Sequence, residues 1–540
     1  STLGQSSLRG LGPMQQPGLV PPLRLSRADA LATAGTPLRT ALVQPAAAAA
    51  LRQARDVADR RGGAGGRAAG QQLPGDAAPA TSAVARSLGP ASLALCAALR
   101  RGRRCCRTGT ALPSLRDDAA LLEASVQAPA APEVEPPQLP ETFVPPGREG
   151  TPGLYFSQGS TLARRVVDGS AALSSWGYWY EAPWWLRQAD AMTIYAAKFR
   201  DEEEVEYDRH LVETLDGGVV ALDVVCSAGD RTAAALDAAV PFVILVSGLG
   251  GGSQDGYVRN MAGTLVRAGW RVAVLNMRGC GKSPVRTPRL FSAYRGSTDD
   301  VRMGIRYVRQ QLMGAGAAGE GGDVLLVGWS NGATIVANSL AEQTTGTGKG
   351  HDHQWTRANG GAILAAPYDM PRSTRHLEGE FFQRNVYNRS VTRSLAAQFS
   401  HHAHLFRNGP VARWSDDKLT VNVDWELLMG AQTIRDVDEA ITRKVFGYES
   451  VDDYYYHASC FRRLEHVNVP LLLVSAADDP MSTGWIPARE VRENENLLLV
   501  YTEHGGHLGW QDADNSGRSR WVEQVVTEFF LAAVQQPQDA

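Results

Sequence analysis

Asp323-Val324-Leu325-Leu326-Val327-Gly328-Trp329-Ser330-Asn331-Gly332-Ala333-Thr334-Ile335-Val336-Ala337 is the stretch that decides how this chain is read. An apolar, strand-like run from Asp323 to Val327 leads into Gly-x-Ser-x-Gly, and a helix-like run from Ala333 to Ala341 follows at once. A strand that turns into a helix over so few residues forces the serine into a strained backbone conformation. Its neighbours then lie too close to tolerate side chains, which is what the two glycines supply. The hydroxyl of Ser330 is left exposed above the strand ends, with the backbone N–H of Asn331 aimed at a reacting oxygen.

A serine hydroxyl is a poor nucleophile near neutral pH, so such an elbow requires a base and a carboxylate to orient that base. Val469-Pro470-Leu471-Leu472-Leu473-Val474-Ser475 reads as a later strand and runs into Ala477-Asp478-Asp479-Pro480. Leu497 to Tyr501 reads as another and leads to Glu503-His504-Gly505-Gly506-His507-Leu508-Gly509. Serine, acid and histidine thus follow in order, each just after a strand. A strand-ending Asp-Asp-Pro turn and a pair of loop histidines are the bland alternatives, and three features in register argue against both. Gly505 and Gly506 give the loop freedom to bring His507 to Ser330, which leaves His504 as a loop or supporting residue. Asp478 and Asp479 both stand where the acid belongs.

An oxyanion hole takes a second backbone N–H from the loop after an early strand. Phe242 to Val246 is that strand and Ser247-Gly248-Leu249-Gly250-Gly251-Gly252-Ser253 the loop, with Leu249 the expected donor and Gly250 the alternative. The glycine run does not make a dinucleotide site, because Ser253 replaces the last glycine of G-x-G-x-x-G and the next strand closes on Asn276 rather than an acid. Gly281-Lys282-Ser283 imitates the end of a P-loop, but Asn276 stands where its first glycine is required. These motifs call for no cofactor and no metal. His351-Asp352-His353 and His401-His402-Ala403-His404 lack a ligand set at zinc spacing and read as surface or lid histidines.

The pattern resembles the α/β-hydrolases, and further motifs resemble one branch of them. These are Tyr180-Glu181-Ala182-Pro183-Trp184-Trp185, Met192-Thr193-Ile194-Tyr195, the Gly248–Ser253 run, Asn276-Met277-Arg278-Gly279-Cys280-Gly281, Thr287 to Ala293, Tyr454 to Ser459 and His504 to Gly509. The branch is the abhydrolase-domain group of embryogenesis-associated proteins, YheT-type esterases, acylglycerol lipases, phospholipases and medium-chain acyltransferases, and the similarity covers about residues 175 to 535. It implies an α/β-hydrolase fold with a mostly parallel central sheet flanked by helices, and carboxylic-ester chemistry on lipid-like or medium-chain acyl substrates. Ser330 is similar to the family nucleophile, Asp479, beside proline, to the acid, and His507 to the base. Ser247 stands where a histidine often precedes the oxyanion glycine, and Ala191-Met192 replaces a polar-aliphatic pair, departures that bear on substrate preference. Hydrolysis is the primary reading. Acyl transfer to an alcohol uses the same triad, and a non-catalytic lipid-binding scaffold is the rival from another class.

Composition divides the 540 residues unevenly. Residues 1–107 hold fifteen arginines, no lysine, four aspartates and no glutamate, while the remaining residues hold 39 Lys and Arg against 53 Asp and Glu. The arginine-rich, acid-poor start reads as a disordered organelle transit peptide, plastid first, with mitochondrion or membrane association as alternatives. Leu88–Leu99 is too short for a membrane span. The acidity of the rest excludes nucleic acid as the main partner. Six cysteines make no disulfide framework. The expected partners are a small-molecule acyl ester and a peripheral membrane contact, with the chain a monomer.

From about residue 205 strand and helix alternate, which implies a parallel sheet with helices on both faces. Asp216-Gly217-Gly218 marks a hairpin. The organisation expected is a leader and linker over 1–135, an aromatic-rich extension over 136–204 and a first core segment over 205–369. A helical lid follows over 370–465 and a second core segment over 466–535. Helices are expected in the lid over 378–387, 391–399 and 437–445. The aromatic cluster of Trp176, Tyr178, Trp179, Tyr180, Trp184 and Trp185 is expected to pack on the sheet edge, with a membrane or acyl-chain contact as the alternative.

Overall fold

The computed structural model describes residues 151–173, 180–226, 240–314, 322–407, 411–414, 419–512 and 520–534. The expected leader and linker, and Trp176, Tyr178 and Trp179, lie outside the described residues.

The central strands are continuous apolar runs because both of their faces are covered. In chain order they begin with β1 (Gly153–Phe156), β2 (Tyr207–Glu213), β3 (Val219–Val225), β4 (Phe242–Val246) and β5 (Arg271–Asn276). Next come β6 (Val324–Trp329), β7 (Gly360–Leu364), a separate short ribbon of β8 (Val411–Ala412) and β9 (Thr420–Val421), then β10 (Leu471–Ala476) and β11 (Leu497–Thr502). One nine-stranded sheet has the order β1-β11-β10-β7-β6-β4-β5-β3-β2. The run from β11 to β5 is parallel, with Val246 opposite Gly328, Trp329 opposite Leu364 and Ala476 opposite Thr502. β1 on one edge and the β2–β3 hairpin on the other are antiparallel additions.

Alternation along each strand sorts the apolar side chains to two faces. Phe242, Ile244, Val246, Leu326 and Leu473 face one core, and Val243, Leu245, Leu325, Val327 and Val474 face the other. The first core is closed by helices α4 (Ser297–Tyr307) and α5 (Asn331–Thr345), through Val301, Ile305, Val336 and Leu340. The second is closed by α1 (Thr161–Gly169), α3 (Gly256–Arg267) and α9 (Trp521–Val534), through Val166, Met261, Leu265, Val526 and Phe530. Truncating any of these leucines to alanine costs about 2–5 kcal/mol, because the sheet cannot close over the void.

Between β7 and β10 the chain is mainly helical, and the breaks differ from those the periodicity gives. A helix over 378–387 is not what forms. α6 (Met370–Gly379) starts eight residues earlier, where the Asp369 side chain accepts from the Arg372 N–H and Pro371 occupies the first turn. It stops at Glu380, whose extended backbone separates it from a π-helical turn, Gln383–Asn388. α7 (Arg389–His401) follows. The stretch read as one helix over 437–445 is three pieces, Ile434–Val437, a π-helical turn Asp438–Thr442, and Arg443–Phe446. Pattern counts at 3.6 residues per turn cannot register a wider turn, so boundaries slip there. α8 (Val451–Ala458) completes this layer.

The upstream extension contributes α2 (Ala189–Lys198). Tyr180 packs its ring 5.2 Å from that of Trp521 and donates to the Gln511 carbonyl at 2.9 Å. Trp184 and Trp185 depart from the expected edge packing, being 82% and 46% exposed. No helix among the described residues is long and apolar enough to cross a membrane.

Candidate active site

The parallel strands deliver their following loops to one end of the sheet, where open α/β sheets gather ligands. β6 ends at Trp329 and α5 begins at Asn331, so Ser330 alone makes the turn, at φ 51 and ψ −119. The flanking glycines are required by their surroundings. A Cβ on Gly332 would stand 2.3 Å from the carbonyl oxygens of Val246 and Ser247, and one on Gly328 would stand 2.4 Å from that of Gly332. The Ser330 N–H donates to the Leu364 carbonyl at 2.9 Å, which fastens the elbow to β7.

Three side chains meet here. His507 Nε2 lies 3.1 Å from Ser330 Oγ, and its Nδ1 lies 2.9 and 3.0 Å from the two carboxylate oxygens of Asp479. Asp479 is itself held, its Oδ1 accepting from the N–H groups of Met481 at 2.8 Å and Ser482 at 2.9 Å. Asp478 turns elsewhere. Its Oδ1 accepts from the Gly506 N–H at 2.8 Å and its Oδ2 lies 3.5 Å from His504 Nδ1. Burial pushes the Asp478 carboxyl above the usual range, against the pull of the Gly506 N–H and His504. The second acid therefore braces the loop that carries His507, through the Gly506 N–H.

A support that the motif reading passed over is Thr193 on α2. Its hydroxyl donates to the Ala189 carbonyl at 2.9 Å and accepts the backbone N–H of His507 at 2.9 Å. Gly506 fits beneath it at φ +54, where a Cβ would lie 2.6 Å from that hydroxyl. Thr193 belongs to the Met192–Tyr195 motif that carries the family resemblance, but it lies upstream of the strand alternation and nothing in that motif assigns it this contact.

In the loop after β4 most N–H groups are already engaged. Gly248 donates to the Tyr257 hydroxyl at 3.0 Å, Gly251 to the Gly248 carbonyl at 3.0 Å and Gly252 to Asp255 Oδ2 at 3.1 Å. Burial pushes the thiol of Cys280 up to about 12. Leu249 N–H and Asn331 N–H border the space beside Ser330 and donate to no acceptor among the described residues. The Asp255 carboxyl is driven up to about 6 by burial, opposed by its bonds from Gly252 and Tyr257.

Ser330 and His507 open onto a cavity of about 200 Å³, larger than the ~150 Å³ void that admits a benzene ring. Met370 and Leu377 of α6, Val391 of α7 and Ile434 give it an apolar wall, and Ala196 and Ala197 of α2 line it as well. Tyr387 donates to Asp190 at 2.8 Å, joining the helical layer to α2. Asn388, within a sequence that matches a glycosylation signal, is buried and spends its Oδ1 on the Ile434 N–H at 2.9 Å.

Tyr455 also lines the cavity and donates to Asp438, at 2.8 Å. Burial pushes the Asp438 carboxyl up to about 6, against its bonds from Thr442 and Tyr455. An unfolded aspartate titrates near about 3.9, so between about pH 4 and 6 the folded protein holds a proton that the unfolded chain has released. This group therefore favours the fold as pH drops through 6 and opposes it above. Asp438→Asn should raise the melting temperature at pH 8 by about twice as much as at pH 5, which lies midway through that window. An unaltered difference between the two pH values, measured by thermal unfolding of both proteins, would contradict a buried charge at this position.

Comparisons with known proteins agree with this architecture. Residues 241–345 match the family model described as the alpha/beta hydrolase fold. The chain is 30% identical over 341 residues to embryogenesis-associated protein EMB8 of Picea glauca, covering 62% of this chain and 68% of that one. It is 27% identical over 353 residues to phospholipase ABHD3 of Mus musculus, covering 65% and 78%. It is 27% identical over 294 residues to monoacylglycerol lipase of Saccharomyces cerevisiae, covering 54% and 59%. With the sheet order, the elbow and these relatives in agreement, the chain belongs to the abhydrolase-domain branch of the α/β-hydrolase family.

Proposed function

We propose that the protein is a serine esterase or lipase that cleaves lipid-like or medium-chain acyl esters through an acyl-enzyme on Ser330. The observation that carries this reading is the unbroken line of contacts from Ser330 Oγ through His507 to Asp479, at the edge of an apolar cavity. His507 Nε2 takes the hydroxyl proton as Oγ attacks the ester carbonyl carbon, and the carbonyl oxygen becomes an oxyanion. Leu249 and Asn331 N–H groups hold that charge, and Leu249 is favoured over Gly250 because Leu249 lines the cavity beside Ser330. Collapse expels the alcohol, which leaves with the proton from His507. Water then gives a proton to His507 and attacks the acyl carbon, and Ser330 Oγ recovers the proton as the acid departs. Asp479 keeps the imidazole in the tautomer that presents Nε2 as acceptor and stabilises its charged form.

The apolar wall from α6 and α7 supports an acyl-chain substrate and a lid role for residues 370–465. The names of the lipase and phospholipase relatives support carboxylic-ester substrates. Exposed Trp184, Trp185, Phe199 and Phe381 support contact with a lipid surface, since aromatic side chains favour the membrane–water boundary. The composition of residues 1–107 supports delivery to a plastid, with a mitochondrion as the alternative.

Ser330→Ala should abolish labelling by a fluorophosphonate probe, and undiminished labelling would refute the nucleophile. Asp479→Asn should lower kcat on p-nitrophenyl esters by roughly 10⁴-fold by favouring the wrong tautomer. Asp478→Asn should cost far less, and the reverse ranking would exchange the two acids. Joint replacement of Trp184 and Phe199 by serine should weaken co-sedimentation with phosphatidylcholine vesicles without reducing turnover of a soluble ester. Equal sedimentation would count against the lipid contact. Residues 1–135 fused to a fluorescent protein should direct it to plastids; diffuse fluorescence would remove that assignment.

A further inference from the structure

Tyr257 joins the two halves of the proposed oxyanion hole. It sits in the first turn of α3, and its ring packs edge-on against Trp329, the residue before Ser330, with centroids 5.3 Å apart. Its hydroxyl is fully used within the loop after β4, accepting from the Gly248 N–H at 3.0 Å and donating to Asp255 Oδ2 at 3.0 Å. The same Asp255 oxygen accepts the Gly252 N–H at 3.1 Å. Both stems of the Gly248–Gly252 turn are thereby tied to one buried carboxylate oxygen, Gly252 directly and Gly248 through the phenol. The far end of the loop is anchored separately, Ser253 donating its N–H to Asn276 at 2.9 Å and its hydroxyl to Asp223 at 2.5 Å. The tip between the stems is Leu249 and Gly250.

We infer that Tyr257, backed by Asp255, is a positioning residue for the proposed reaction: its hydroxyl fixes the Gly248 stem so that the Leu249 N–H faces the oxygen above Ser330. The inference rests on the reading of Ser330 as nucleophile and Leu249 as oxyanion donor. A donor aimed in advance at developing charge needs no reorganisation during reaction, and that advantage is lost when its support relaxes. Without the phenolic oxygen the Gly248 N–H is left unpartnered in a half-buried turn, and the stem moves to find another acceptor. Only the oxyanion-bearing states feel this shift, so binding of the uncharged ester is spared.

Tyr257→Phe keeps the ring on Trp329 and removes the hydroxyl alone. Losing a whole oxyanion donor costs about 10²- to 10³-fold in kcat, and a misaimed one should cost about 10- to 100-fold. KM for p-nitrophenyl octanoate should stay within about twofold, the pattern of an interaction made only in the transition state. An alkyl trifluoromethyl ketone, whose adduct with Ser330 carries the oxyanion, should lose affinity by about the same factor as kcat/KM. Asp255→Asn, which keeps an acceptor for Tyr257 and Gly252, should retain more activity than Asp255→Ala. Unchanged kcat and ketone affinity in Tyr257→Phe, with the native protein active and labelled by fluorophosphonate, would overturn the inference alone. A drop in activity matched by a lower melting temperature, with ketone affinity unaltered, would also overturn it. A native protein that neither reacts with the probe nor cleaves esters would remove the reading beneath it, and the inference with it.

Discussion

Backbone crowding at one turn governs the rest of the molecule. β6 and α5 are separated by a single residue, and the oxygens of Val246 and Ser247 occupy the space a Cβ on Gly332 would need. Only a residue without a side chain fits there, so the serine between the glycines is driven to a positive φ that α-helix and strand both exclude. The cost of that conformation is offset by the sheet around it, since β6 is paired on both sides and every residue from Val324 to Trp329 is buried. A hydroxyl held this way cannot relax into a helix or strand rotamer. It stays pointed at the imidazole.

The partners of the hydroxyl come from two other strand ends and are placed by the same logic of parallel pairing. β10 and β11 run side by side in register, so the loops after Ala476 and Thr502 emerge together and bring Asp479 against His507. Backbone N–H groups then fix both ends of this pair: those of Met481 and Ser482 donate to the Asp479 carboxylate, and that of Gly506, next to His507, donates to Asp478. The adjacent aspartates thus divide two tasks that one could not perform, orienting a ring and tethering a loop.

The central sheet and the meeting of Ser330, His507 and Asp479 were legible in the sequence because parallel strands buried on both faces are unbroken apolar runs, and because Gly-x-Ser-x-Gly has so few ways to fold. Phe242–Val246 has the limits that its apolar run gives. Elsewhere the signal was weak for identifiable reasons. β1 is four residues at a sheet edge, and the helical layer contains π-turns at Gln383–Asn388 and Asp438–Thr442 that break the 3.6-residue period. The parts played by Thr193, Tyr257 and Asp255 depend on which backbone groups come within 3 Å of them, and nothing in their spacing along the chain encodes that. The solvent-facing positions of Trp184 and Trp185 reverse the usual preference of tryptophan, which composition alone cannot anticipate.

α2 precedes the alternating strands, and its residues neither pair with the sheet nor react. Yet it supplies the hydroxyl beneath His507 and part of the cavity wall. A version of this molecule trimmed to begin at β2 would keep the whole parallel sheet, the elbow and all three reactive side chains. It would nevertheless lose the prop under its imidazole and open the cavity beside Ser330 on one flank. The cavity beside Ser330 is thus walled in part by chain that comes before the alternating strands.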